Sequence, residues 1–475
     1  MRSISTLILH FLVTIAVFAQ EKPPQIGDDF ASILAGDTVS VNVMANDWCM
    51  EGHTMKIMNV LQGQGGTCAW EDSTITYRSY FYFLGVDTVR YRLLDEVNGL
   101  LSDEGFFVIT VQNRGRNALD INNIDATFNS YGYQFCTLPD NIPSFTVPKG
   151  SGRLTIFCYS LWLGGLDETG QLHIAGERYR ISGTDFFPGP VSNTYLNKQF
   201  IDWNLVSRIN REEIEYHRAH WWESGYEPIE AIRDWPAHGD VSLGQAEYLA
   251  PFFDRDGDGT YDPNLGDCPF MRGDQAIWNV YNDDLEPHTE SDGERIGAEV
   301  QMLAYAFDCP DDSLFNNTIF IRYNIINRSG NAYHDFYLTS FTDVDLGYPW
   351  DDYVGCDTLL DYYYVYNADN DDETELLFGN TLGYGVSPPA QAVVWLNHPL
   401  SSFIATNNFN TIISDPGTPE GYYNIMNGLW RGGEPITYGG SGYGGEVPVK
   451  YQYPGDPLDP EQWSEVSAAN NPDDR

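Results

Sequence analysis

The chain has 475 residues and carries 68 aspartates and glutamates against 25 lysines and arginines, a formal net charge of −43. A surface of that sign repels phosphate backbones and anionic lipid, which excludes nucleic acid and membrane surfaces as partners. With 42% hydrophobic residues, 45 glycines and 26 prolines, the chain has apolar material for more than one core and turn residues for many short strands, so disorder is excluded as well.

Residues 1–19 read as a signal peptide. Arg2 supplies the positive start, Leu7 to Val17 the apolar stretch, and Val17-Phe18-Ala19 the small residues of a cleavage site before Gln20. That stretch is too short to remain in a bilayer, and no later run of about twenty apolar residues follows. The expectation is a secreted, extracellular protein without membrane insertion, released or attached to the outer surface.

Residues 22–113 alternate apolar and polar side chains with period two, in Val39-Ser-Val41-Asn-Val43, Asp87-Thr-Val89-Arg-Tyr91-Arg-Leu93 and Phe107-Val-Ile109-Thr-Val111. Turn signals at Asn46-Asp47, Gly63 to Gly66 and Asn98-Gly99 separate them, which predicts a β-sandwich. Asp28-Asp29, Gly36-Asp37-Thr38-Val39, Val43-Met-Ala45-Asn46-Asp47 and Gly85-Val-Asp87-Thr88-Val89 occur in an order that resembles bacterial cadherin-like, immunoglobulin-like repeats. The resemblance implies an immunoglobulin-like sandwich serving as stalk or adhesive spacer. The chain departs from it in carrying Cys49 and Cys68, and in lacking an acidic run after Asn46-Asp47.

Seven cysteines in an oxidising compartment predict some pairing, with Cys49–Cys68 favoured and Cys136–Cys158 next; the odd count leaves at least one thiol over. No Cys-x-x-Cys occurs, so a cysteine zinc site has no support.

Residues 114–118 are polar and locally basic, and read as a linker to a larger β-rich domain over 119–475. Within it a helix is predicted at about 207–222, with Glu212 and Glu213 in its first turn, and a short second helix after Ser242. Leu161-Trp-Leu-Gly-Gly-Leu166, Trp235-Pro-Ala-His-Gly-Asp240, Leu249-Ala-Pro-Phe-Phe-Asp254 and Asp351-Asp-Tyr-Val-Gly-Cys-Asp357 resemble large secreted surface proteins of gliding bacteria exported by the type IX system. That resemblance implies further β modules and a C-terminal sorting domain. Neither is recognisable before Arg475, so a chain truncated at its C-terminus is expected.

The strongest chemical motif is Asp254-Arg-Asp256-Gly-Asp258-Gly259-Thr260-Tyr261-Asp262, with acids at loop positions 1, 3, 5 and 9 and glycine at 6. Calcium takes six to eight oxygens, so alternating carboxylates on a tight turn suit it, with the Thr260 carbonyl as a further donor. Leu265 stands at position 12, where an EF-hand has a bidentate glutamate. The loop instead resembles thrombospondin type 3 and dockerin calcium loops, with Asp267 as a late ligand. The other reading is a plain acidic turn.

Two further acidic stretches fit either a second cation or a solvated loop: Asp343, Asp345, Asp351, Asp352 and Asp357, and Asn367, Asp369, Asp371 and Asp372. Glu213, His217 and His220 share one helical face, which can bind zinc or simply pack. No Gly-x-Ser-x-Gly and no phosphate-cradling loop occurs, and no acid pair stands out among many. The chain therefore reads as a calcium-stabilised structural or adhesion protein of the cell exterior, without an identifiable catalytic activity, whose partners are glycans or surface and matrix proteins. The alternative is a secreted carbohydrate-active or other hydrolase with an aromatic-lined acidic cleft.

Overall fold

The computed structural model describes residues 21–80, 83, 85–112, 114–137, 142–178, 183–195, 202–374, 382–407 and 409–468. The signal peptide read over 1–19 lies outside them. The chain is mainly β and divides into two compact units, Met1–Gln112 and Asn113–Arg475.

The first unit has seven strands: β1 (Asp29–Leu34), β2 (Thr38–Asn42), β3 (Met55–Leu61), β4 (Gly66–Glu71), β5 (Thr74–Ser79), β6 (Gly85–Asp95) and β7 (Gly105–Gln112). They form two sheets, β1-β7-β6-β3 and β2-β5-β4, with β1 parallel to β7 and every other pairing antiparallel. The alternation in β6 turns Val89, Tyr91 and Leu93 inward, where they meet Ile75 and Tyr77 of the opposite sheet in one core. This is the β-sandwich that the period-two pattern predicts. Its buried acids are spent internally. The Tyr91 hydroxyl donates to Asp29 at 2.7 Å, Tyr77 donates to Asp87 at 2.7 Å, and Asp95 lies 2.6 Å from His53 Nδ1.

The second unit is built around two antiparallel strands, Gln275–Asn282 and Ala298–Ala306, that are buried on both faces. Ile277 and Tyr281 point into the largest core, shared with Phe128, Phe145, Leu161 and Leu163 of neighbouring sheets. Ala276, Trp278 and Val280 point the other way, onto Ile214, Ile232, Trp235 and Cys268. That second core is where helical segments and the Asp254 loop attach to the sheet. A further sheet pairs Cys158–Asp167 with Tyr333–Asp343, and a three-stranded one joins Asp352–Asp357, Tyr362–Asn367 and Ala390–Val394.

Several local readings are corrected. The helix predicted from 207 begins at Arg211 and ends at His220, because Ser207–Asn210 is a strand paired with Gln275–Trp278. Glu213 then reaches back to accept the Asn210 backbone N–H at 2.8 Å, which fixes the helix start. In place of a helix after Ser242 there is one 3-10 turn, Val241–Leu243, whose start Asp240 caps through the Ser242 N–H at 2.9 Å. The stretch read as a linker runs into a strand, Arg116–Leu119, paired with Asp125–Asn129. All seven cysteines are free thiols. Cys49 Sγ lies 3.5 Å from the His53 carbonyl, while Cys68 packs against the sandwich core. Cys136 and Cys158 share one small buried cluster, and burial pushes the Cys136 thiol up to about 11.

Candidate metal centre

Phe252–Phe253 pairs with Cys268–Pro269, so residues 254–267 form a loop closed at its base by a short ladder. Cys268 is sunk in the second core and anchors that base to the central sheet. Gly257 and Gly259 take φ values of 78° and 83°, the left-handed region that glycine enters without steric cost, which lets the chain coil around its own acids.

Each acid has a distinct job. Asp254 accepts the Gly257 N–H at 2.7 Å on one oxygen and the Gly259 N–H at 2.8 Å on the other. These N–H groups, Gly259 first, hold its carboxyl below the usual range. Asp267, only 1% exposed, accepts the Arg255 and Asp262 N–H groups, each at 2.8 Å, and so ties the start of the loop to its end. Asp254, Asp256 and Asp267 each bring a carboxylate oxygen within 4.8 Å of the others. Among the described residues no other three histidines, cysteines or acids meet in this way.

Asp258 and Asp262 fall outside this group, and their carboxylates hold turns. Asp258 accepts the Thr260 N–H at 2.7 Å, and Asp262 caps the 3-10 turn Pro263–Leu265 through the Asn264 N–H at 2.9 Å. The six candidate ligands, five from loop spacing and Asp267 from the resemblance, thus separate into three gathered carboxylates and three residues that shape the loop.

The gathered donors are hard carboxylate oxygens with free lone pairs and no sulfur or nitrogen among them, a set suited to calcium or magnesium rather than zinc. Three carboxylates supply part of a six- to eight-oxygen shell, leaving room for main-chain carbonyls and water.

Sequence reasoning missed the parts that hold the loop in place. His217 is fully buried; its Nε2–H donates to the Asp267 carbonyl at 2.9 Å and its Nδ1 accepts the Tyr226 hydroxyl at 3.0 Å. Burial lowers its pKa, consistent with this neutral tautomer. The Arg255 guanidinium lies 4.4 Å from the Trp221 ring centre, and Arg218 lies 4.7 Å from that of Phe253. The one signal available was the helical spacing of His217 and Trp221, which aims both at the same neighbour. Zinc is not supported at Glu213, His217 and His220: Glu213 caps the helix, while His220 stacks on Tyr216 and faces its carbonyl at 2.7 Å.

The other acidic stretches do not assemble a three-carboxylate group. Asp357 accepts the Leu359 N–H, and Asn367 and Asp369 accept the N–H groups of Asp369 and Asp371, all local turns. Asp372 accepts the N–H groups of Tyr348 and Tyr384 at 2.8 and 2.6 Å. Asp352 accepts the Leu346 N–H at 2.8 Å, and burial pushes its carboxyl up to about 9 and that of Asp345 up to about 6.

Fold and site together define a mainly β protein of two compact units, the larger bearing an oxygen-donor loop. No protein-family model matches the chain, and no curated protein matches it. Among solved structures, the Yersinia pseudotuberculosis adhesin InvE aligns over 64% of this chain at 10% identity, with a TM-score of 0.14. The alignment spans 58% of that adhesin, and a similarity of this size carries no argument about fold or function.

Proposed function

We propose that this is a secreted or surface-attached structural or adhesion protein whose larger unit is stabilised by calcium at Asp254, Asp256 and Asp267. The observation that supports the reading is the convergence of three carboxylates on a loop whose base is anchored in the core. Without an ion, three like charges held this close repel one another, and a divalent cation removes that cost. The role is mechanical: binding to the folded state alone adds stability by mass action and stiffens the loop.

Calcium at a hundred times its dissociation constant adds about 2.7 kcal/mol, a rise of roughly 3–4 °C in the midpoint of a unit of this size. Thermal melts with and without calcium test this. Asp256 is exposed and its bond to the loop backbone is a long one, 3.2 Å from the Asp258 N–H, so Asp256→Ala removes a ligand and leaves the turn standing. That variant is expected to lose the calcium-dependent rise, whereas Asp258→Ala keeps it. An equal rise in Asp256→Ala and the parent would overturn the site.

A further inference from the structure

The second unit holds a cavity of about 410 Å³ between the Tyr333–Asp343 strand and the sheet formed by Asp352–Asp357, Tyr362–Asn367 and Ala390–Val394. That volume falls in the range of small-molecule sites, about 300–1,000 Å³. Its lining is chemically one-sided. Asp343, Asp352, Asp415 and Glu465 contribute acids, and Tyr363, Trp395 and Phe403 contribute aromatic rings. Among the described residues that line it there is no lysine or arginine. The sole basic side chain is His398, which is exposed.

Asp415 is already compensated by Arg178 at 2.8 Å. Asp352 is not: it accepts the neutral Leu346 N–H, and the groups facing it from neighbouring segments are Asp345, Asp351 and Asp372. Burial together with those like charges drives its carboxyl toward the neutral form, which is what a missing counter-charge produces. A cation placed in the cavity would supply the missing counter-charge and let the Asp352 carboxyl give up its proton, and aromatic ring faces attract cations as well.

We propose that this cavity binds a small organic ammonium ion, with Asp352 as its charge partner and the rings of Tyr363, Trp395 and Phe403 as its walls. The site is separate from the Asp254 loop and does not depend on the calcium reading.

The test uses the full chain in saturating calcium, titrated calorimetrically with choline, with its neutral isostere 3,3-dimethyl-1-butanol, and with glucose. Choline is expected to bind saturably, at least tenfold more tightly than the isostere. Asp352→Asn keeps an oxygen for the Leu346 N–H and removes the carboxyl that ionises when a cation binds; it is expected to weaken choline at least tenfold with an unchanged circular dichroism spectrum. Asp256→Ala is expected to bind choline as the parent does, which keeps this result distinct from the calcium one. Equal affinities for choline and its isostere, unchanged choline affinity in Asp352→Asn, or no saturable choline binding overturns the proposal. Glucose binding without choline binding would assign the cavity to saccharides and overturn it too.

Discussion

Asp352 lies among Asp345, Asp351 and Asp372, and burial raises its carboxyl from an ordinary 3.8 to about 9. Between those two values the folded chain keeps a proton that the unfolded chain has released. Stability therefore falls as pH rises through that window, the opposite of the usual buried, salt-bridged aspartate. Asp352→Asn removes the titrating group and preserves the acceptor for Leu346. In the absence of added cations the variant is expected to be more stable than the parent at pH 8, with the advantage fading toward pH 4. The gain expected at pH 8 is about 2 kcal/mol, a fraction of the raw ~1.36 kcal/mol per pKa unit, because neighbouring carboxylates readjust when one is neutralised. Melting curves across that range check it; an advantage that grows toward low pH would contradict the assignment.

At the scale of the element, the Asp254 loop depends on Gly266 as much as on its acids. Gly266 has φ 96°, and a methyl there would sit 2.7 Å from Arg255 Cδ and 2.8 Å from the Trp221 ring. Arg255 can swing away, but Trp221 also meets Trp222 edge-on, with ring centres 5.7 Å apart, and is a bulky ring to displace. Gly266→Ala is expected to cost about 2–3 kcal/mol, from the positive φ and the overpacking together, and to weaken calcium binding. A calcium titration followed by thermal unfolding measures both effects. The loop was legible in the sequence because acids alternating with glycines are local information, as was the inward face of β6. The start of the neighbouring helix was not, since Ser207–Asn210 becomes a strand only by pairing with Gln275–Trp278, far along the chain. The same holds for Arg116–Leu119, whose polar composition hides a strand completed by Asp125–Asn129. Spacing and resemblance together also left six candidate ligands unseparated, and only the folded loop distinguishes the carboxylates that converge from Asp258 and Asp262, which do not.

Across the whole molecule, each unit carries its own core: Val89, Tyr91, Ile109 and Val111 belong to one cluster, and Ile277, Tyr281, Val300 and Met302 to another. The two also differ in how their acids are used. In residues 21–112 the acids Asp29, Asp87 and Asp95 are bound to Tyr91, Tyr77 and His53, and no three-carboxylate group occurs among the described residues there. Among the described residues the gathered carboxylates belong to the larger unit. Residues 21–112 expressed by themselves are therefore expected to unfold in one cooperative transition at a midpoint that calcium does not move. In the full chain, calorimetry is expected to show a calcium-sensitive transition for the larger unit, abolished as a response by Asp256→Ala, beside one that stays fixed. A module that melts higher in calcium would place a cation among its own acids, such as Asp28, Asp29 and Asp95. It would also mean that the hydrogen bonds from Tyr91 and His53 do not satisfy those acids as the folded sandwich implies.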